Sequence, residues 1–299
     1  MITPLKRKLV LLRNYCIYKK LDFFAKINKG KFRTDSDADF VVSIASYPAR
    51  SHLLPAVFER LNQQTVVPKK WILVLSEEEW PGLKIPSYLE KLENRGVEIL
   101  WVRNNTYAVK KLVPVLEKYP KLDIITFDDE LIYGKRVIEN LVKCSSKHKG
   151  AVIGHSGKQL LQKNGKLGMF YRESKNADYK TPSCQVYFLG GSGTLYPANS
   201  LDKRITNLDA IHKIVPGRGS DIWFWAAAVA KGTKQVCLGT PKDLTLFFGI
   251  PETKKTKPKD TPGKEVMENR FQMTIDFFEI REQLLATLPD KSAIDSENK

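Results

Sequence analysis

The sequence predicts an α/β protein, an open and mostly parallel sheet flanked by helices. Three observations carry that prediction. Short apolar runs of strand length alternate with helix-like segments between Phe40 and Lys147. The runs are predominantly apolar, as in strands covered on both faces. Several of them end abruptly in polar or charged residues, where the ligands of open α/β sheets bind.

The elements follow in chain order. Residues 1–33 hold ten Lys and Arg and a single acid, Asp22. Leu5, Leu9, Leu12 and Cys16 recur at helical spacing, with Phe23 and Ile27 continuing that face. Such a basic helix either lies on an anionic membrane surface or packs on its own protein with its charges solvated. The one-sided charge tilts the reading toward the membrane. Thr34–Asp39 is a polar break, so three regions are expected: a basic segment 1–35, a globular domain 36–250, and a tail 251–299.

Phe40–Ser46 reads as the first strand, Tyr47–Arg50 as a turn and Leu53–Leu61 as a helix. Trp71–Leu75 and Val97–Val102 are the next strands. Val109–Lys118 is a helix ending before Pro120. Ile124–Phe127 is a further strand and Lys135–Lys147 a helix. Beyond Ala151 the pattern is less regular. Val186–Leu189 runs into Gly190–Gly193, then Thr194–Pro197; Ile222–Val229 is helical and Val236–Leu238 a last strand. Residues 251–264 form a Pro/Lys-rich loop. Phe271–Leu288 is a helix and the last ten residues fray.

Composition bounds the rest. With 42% hydrophobic and 27% charged residues the chain has a globular composition. An excess of 49 Lys and Arg over 33 Asp and Glu, +16 in all, points to anionic partners. The four cysteines, Cys16, Cys144, Cys184 and Cys237, show neither zinc spacing nor a disulfide framework, so a reducing cytoplasm is expected. Arg13 and Lys19-Lys20 interrupt any secretory apolar region, and no stretch is long enough to span a bilayer.

The chemistry centres on Leu122–Gly134, where an apolar run drives into Asp128, Asp129 and Glu130. Adjacent carboxylates raise one another's pKa unless a cation neutralises them. Mg²⁺ and Mn²⁺ take oxygen ligands of this kind. A turn rich in Asp is the plain alternative. Three acids framed by apolar runs favour the metal. Arg50 in Ser46–Arg50 could reach a phosphate and Tyr47 a base or ribose. Lys110 and Lys111 open a helix where the dipole already favours anions, which suggests a bound diphosphate, a solvated helix face being the alternative. Gly190–Gly193 allows close approach of backbone to a ligand. Asp221 could be a carboxylate general base, but its spacing equally suits a helix cap by Ser220 or Asp221, and spacing alone favours the cap.

Taken together, S-I-A-S-Y-P-A-R, W-I-L-V-L-S-E-E-E-W-P, K-K-L-V-P-V-L-E-K-Y-P, I-I-T-F-D-D-E-L-I-Y, G-G-S-G-T-L-Y-P and S-D-I-W-F-W resemble a group of bacterial glycosyltransferases with the GT-A fold, over roughly residues 40–250. The resemblance implies a nucleotide-sugar-binding sheet with the acceptor side in the later half. It implies that Asp128, Asp129 and Glu130 contact a divalent cation, Mn²⁺ or Mg²⁺, or the donor's ribose. Lys110, Tyr47 and Arg50 would bind the donor, with Asp128 and Asp129, and Asp221 would be the acceptor-side acid. The family usually carries a third Asp where this chain has Glu130, one methylene longer, which implies a shifted metal preference or affinity. The expected partners are a nucleotide sugar (a UDP-sugar first), a glycan or lipid-linked acceptor, and an anionic membrane surface at residues 1–33. The expected place is the cytoplasmic face of the cell membrane, in surface polysaccharide synthesis. A nucleotidyltransferase would show a glycine-rich basic loop after the first strand, which Ser46–Arg50 is not. A nucleic-acid-binding protein would use its Trp residues as stacking platforms. Trp71, Trp101, Trp223 and Trp225 are embedded in apolar runs, so no nucleic-acid partner is expected.

Overall fold

The architecture is that of a computed structural model, which describes residues 4–163, 165–168, 181–188, 190–239, 247–251 and 262–288. Helix α1 (Pro4–Ile27) comes first. Then follow β1 (Phe40–Ala45), α2 (Leu54–Leu61), β2 (Trp71–Ser76), α3 (Ser87–Asn94), β3 (Val97–Val102), α4 (Val113–Lys118) and β4 (Asp123–Phe127). The later half holds β5 (Leu131–Tyr133), α5 (Val137–Lys147), β6 (Val152–Gly154), β7 (Gly157–Gln159), β8 (Leu161–Lys163), β9 (Lys166–Gly168) and β10 (Val186–Phe188). It continues with β11 (Thr194–Tyr196), α6 (Leu208–Ile214), α7 (Ser220–Ala230), β12 (Gln235–Cys237), β13 (Phe247–Gly249), α8 (Lys264–Phe277) and α9 (Arg281–Thr287).

Seven strands form the central sheet in the order β12-β6-β11-β4-β1-β2-β3. Every pairing is parallel except those of β11, which runs antiparallel to both β4 and β6. The predicted α/β class, mostly parallel and flanked by helices, is therefore the observed one. Its continuous apolar runs have the expected cause. Val41, Ile72 and Ile124 face a core under α7 and α8, while Val42, Leu73 and Ile125 face the opposite core under α2 and α5. Helix α7 is apolar all round because Ile222–Val229 is buried throughout. Trp71, Trp223 and Trp225 are core residues whose indole N–H groups donate to the carbonyls of Arg33, Ile205 and Cys184. Trp101 is half-buried.

Several elements differ from expectation. The predicted helix 109–118 is a 3-10 turn, Tyr107–Lys111, followed by α4, with Pro114 in the opening turn where its missing N–H costs nothing. The predicted helix 271–288 lies across α8 and α9, broken at Glu279 (φ 57°). The break lets both Phe277 and Phe278 pack on Trp223. Residues 252–261 of the Pro/Lys-rich segment and the last residues, 289–299, lie outside the described residues, as does Leu189.

Helix α1 packs on the body through a face other than the apolar one that Leu5, Leu9, Leu12 and Cys16 mark in the sequence. Tyr18, Leu21 and Ala25 pack on the body, whereas Leu9, Leu12, Cys16, Phe23 and Ile27 are exposed; the side chain of Leu5 is not among those described. The helix is apolar on more than one side near Leu9–Leu12, so periodicity alone does not choose its docking face. The segment after it is clamped. Arg95 pairs with Glu59 at 3.0 Å, donates to Gly30 O, and lies over the Phe32 ring. Among the described residues, no helix is long and apolar enough to cross a membrane.

His155 follows β6 and is buried. Its Nε2 lies 3.2 Å from Val137 O and its Nδ1 has no partner. Burial pushes its pKa down to about 4 from 6.5, with the Val137 contact acting weakly the other way. Above pH 6.5 the imidazole is neutral in both folded and unfolded chains. As pH falls toward 4, the unfolded chain gains a proton that the folded chain excludes, so stability is lost by on the order of 3 kcal/mol. Urea denaturation between pH 7 and 4 should show this loss, and His155→Gln should shrink the pH-dependent part of it.

Candidate active site

The loops after β1, β3 and β4 all emerge at the carboxyl ends of the parallel strands. Because β11 runs the other way, its lead-in Gly190–Gly193 reaches the same end. So does the start of α7, through Asp221. Four of the sequence's candidate pieces are thus brought together by the sheet's topology.

Asp129 lies at the centre, 3% exposed. It accepts from Ser46 Oγ at 2.6 Å and from Arg50 Nη1 at 3.0 Å, tying the β4 turn to the β1 loop. Burial raises its pKa to about 6, against the opposing pull of Arg50 and Ser46. Arg50 also contacts Glu130 at 3.3 Å, and its guanidinium lies 5.2 Å from the centre of the Tyr47 ring. Asp128 is paired with Lys111 Nζ at 2.8 Å. Burial works against the Lys111 ammonium, but Asp128, and Asp221 after it, more than offset this and raise its pKa. Asp221 accepts from the Gly190 N–H at 3.1 Å. Its pKa is raised, first by burial and then by Asp128, while Lys111 opposes the shift.

The two glycines have a steric reason. A Cβ on Gly190 would lie 2.4 Å from Asp221 Oδ1, and one on Gly191 2.7 Å from Asp128 Oδ2. Only bare backbone passes between these carboxylates. The hydroxyl of fully buried Tyr133 completes the frame. It accepts from the Asp128 N–H at 2.8 Å and donates to Gly191 O at 2.8 Å.

Three sequence expectations change. Lys110 does not face the acids: it is buried against Glu79 and Asn105, and Lys111 takes the position beside Asp128. Asp129 is not an open metal ligand, since Ser46 and Arg50 occupy its carboxylate. Among the described residues no set of three or more Asp, Glu, His or Cys converges to hold a metal ion. Neither Ser220 nor Asp221 caps α7. Gly219 holds the N-cap position at φ 119°, and the Asp221 carboxylate turns to Gly190. Sequence reasoning named Lys111 only alongside Lys110, giving the donor role to Lys110, and it missed Tyr133. Tyr133 was visible within F-D-D-E-L-I-Y, but nothing in spacing shows where its hydroxyl points.

Asp128 and Glu130 remain half-exposed. Counting Asp128, Asp129, Glu130 and Asp221 against Arg50, Lys111 and Arg218, whose charge also acts on Asp221, the cluster keeps an excess of one negative charge. A donor set of one or two open carboxylates with that surplus fits a hard divalent cation whose remaining ligands come from phosphate oxygens and water.

No protein-family model and no curated protein sequence matches the chain. Among solved structures, one that is similar is a mannosyltransferase from Pyrobaculum calidifontis in complex with GDP-Man and Mn²⁺. It is 11% identical, with 97% of this chain and 89% of that one covered and a TM-score of 0.46. Another is S. aureus TarS 1–349 with UDP, at 10% identity, coverage of 82% and 72%, and a TM-score of 0.44. A third is a CMP:2-keto-3-deoxy-manno-octonic acid synthetase complexed with CTP, at 10% identity, coverage of 68% and 90%, and a TM-score of 0.41. Likenesses this distant do not decide function, which has to be argued from the chain's own side chains.

Tyr133→Phe keeps the ring and removes both hydrogen bonds that join the acidic turn to the glycine loop. It should destabilise the fold by about 1–3 kcal/mol, read as a lowered urea midpoint.

Proposed function

We propose that this chain is a glycosyltransferase that moves a sugar from a nucleotide-sugar donor, a UDP-sugar first, to a glycan or lipid-linked acceptor. The observation that carries the reading is the convergence of Asp128, Glu130, Arg50, Lys111 and Asp221 at the carboxyl ends of the strands. There two open carboxylates face the buried Lys111 and the half-buried Arg50.

Transfer breaks the bond between the anomeric carbon and the diphosphate oxygen, and negative charge develops on the leaving diphosphate. Lys111 and Arg50 are pre-placed to meet that charge. Asp128 and Glu130 would hold the divalent cation, Mn²⁺ or Mg²⁺, which supplies further neutralisation of the leaving group. Tyr47, half-exposed beside Arg50, would contact the donor's base or ribose. Asp221 is the candidate general base. Gly190 fixes its Oδ2, and the raised pKa makes its carboxylate a better proton acceptor from an acceptor hydroxyl. The acceptor oxygen bonds to the anomeric carbon from the face opposite the departing diphosphate while its proton passes to Asp221, which inverts the anomeric centre.

We further propose that α1 rests on the inner, anionic face of a membrane, near lipid-linked acceptors of surface polysaccharide synthesis. Leu9, Val10, Leu11 and Leu12 are exposed on a helix whose lower part is anchored by Tyr18 and Leu21. Lys8, Arg13, Lys19 and Lys20 flank them and are exposed as well.

Purified protein incubated with a nucleotide-sugar panel should release one nucleoside diphosphate with Mn²⁺ or Mg²⁺ and not with EDTA. Asp128→Asn should lower that rate by at least about 100-fold; because it also removes the charge partner of buried Lys111, both proteins are compared at a temperature where each is folded. Asp129→Asn should melt early as well, because it weakens the link between Ser46, Arg50 and the β4 turn. No release and no donor binding by calorimetry with any metal would overturn the reading. Separately, the full chain should co-sediment with vesicles containing phosphatidylglycerol and not with phosphatidylcholine alone. Leu9→Glu with Leu12→Glu should abolish this, and unchanged sedimentation would sink the membrane assignment.

A further inference from the structure

At the other end of the central sheet a second cavity opens, with a volume of about 400 Å³. Its walls are the loops that precede β6 and β12, the loop after β11, and Pro182. Since β6 and β12 are parallel to β4's direction through β11, these loops lie at the amino ends of the strands, opposite the acidic cluster. The volume is that of a small-molecule site.

The lining is cationic. Lys149, Lys231 and Lys234 all face it, with His148 beside them and no Asp or Glu among the lining residues. Among the described residues none of the three lysines has an ion-pair partner. Lysines gather at helix C-termini for an ordinary reason, and two helices end here, α5 at His148 and α7 at Lys231. Each terminus contributes about half a negative charge. Three lysines against two such termini leave a surplus of about two positive charges, so dipole compensation does not account for the lining. The acid nearest in influence, Asp202, is already engaged by Arg204 at 2.9 Å.

Ser200 lines the wall and is 5% exposed. Its carbonyl accepts from Thr233 Oγ1 at 2.7 Å, which locks the β11 and β12 loops together around the opening. Three exposed lysine ammoniums around one opening suit a compact, doubly charged oxyanion.

We propose that this cavity is a second binding site, distinct from the acidic cluster, for a phosphate-bearing ligand: a phosphate monoester or diphosphate group. That chemistry has two sources, a soluble phosphorylated compound or a lipid headgroup. The site does not depend on the transferase reading, since no residue is shared between the two.

The test is calorimetric titration of the full chain with pyrophosphate, in EDTA and at constant ionic strength. Without a cation the acidic cluster repels the probe, so binding reports the cavity. One saturable site is expected. Lys231→Gln with Lys234→Gln should weaken it at least tenfold while leaving donor hydrolysis unchanged, and Lys149→Gln alone should weaken it several-fold if the double variant folds poorly. Flotation with phosphatidic acid vesicles distinguishes the sources. Binding that pyrophosphate displaces and Lys231→Gln/Lys234→Gln removes assigns a lipid headgroup; displacement of pyrophosphate by sugar phosphates without vesicle binding assigns a soluble ligand. Absence of saturable heat, or an isotherm that all three lysine substitutions leave unchanged, overturns the proposal. A chain that binds pyrophosphate at the cavity yet hydrolyses no donor would sink only the transferase reading.

Discussion

The arrangement depends on one interaction, the burial of Asp129 between Ser46 and Arg50. A carboxylate taken out of water is costly, and here charge-assisted hydrogen bonds from the neighbouring strand's loop offset much of that cost. The pairing fixes the β4 turn against the β1 loop. It also uses up the middle acid of the triplet, so that Asp128 and Glu130 are the carboxylates left half-open. It holds Arg50 in the same place, where the guanidinium touches both Asp129 and Glu130. A triplet that looks like three equivalent ligands in sequence is one strut and two open groups in space.

A similar division of labour separates Lys110 from Lys111. In a 3-10 turn adjacent residues point about 120° apart, so two neighbouring lysines cannot serve one site. Lys110 turns to Glu79 and Asn105, bracing the loops after β2 and β3 against each other. Lys111 turns to Asp128 and feels Asp221. The brace matters to the site because it fixes the backbone from which Lys111 reaches the acids. Tyr133 does the same for the opposite wall, bolting the Asp128 amide to Gly191.

How far the sequence was legible follows from what each signal encodes. Strands β1, β2 and β4 announced themselves because burial on both faces leaves them mostly apolar, while the edge strand β3 is half-buried and carries Glu98. The acids at the end of β4 were legible for the same reason, as an abrupt polar stop. Three-residue strands are too short for periodicity to register: β12 was read from Val236–Leu238, but β6 was not, and the reversed direction of β11 leaves no local trace. Which lysine meets the acids, where Asp221 points and which face of α1 docks are tertiary facts. Each depends on a partner far along the chain: Asp128 for Lys111, Gly190 for Asp221, helix α2 for α1. The Gly190–Gly191 pair was legible as permissive backbone, but the reason for it, the carboxylates on either side, was not.

The charge distribution links these local facts to the proposed chemistry. The chain as a whole carries +16, so an anionic donor is drawn toward it. Yet the acidic cluster itself keeps negative charge in excess, and a diphosphate arriving there alone meets repulsion at short range, where bulk charge is screened. A divalent cation brings the cluster close to neutrality and leaves Arg50 and Lys111 free to attract. On the proposed reading, donor and cation should therefore strengthen one another's binding, each weak without the other. A site whose buried cations had outnumbered its acids would bind the diphosphate unaided, and tightly in the product state as well. The surplus of acids over fixed cations makes the grip conditional, so that loss of the cation releases the nucleotide.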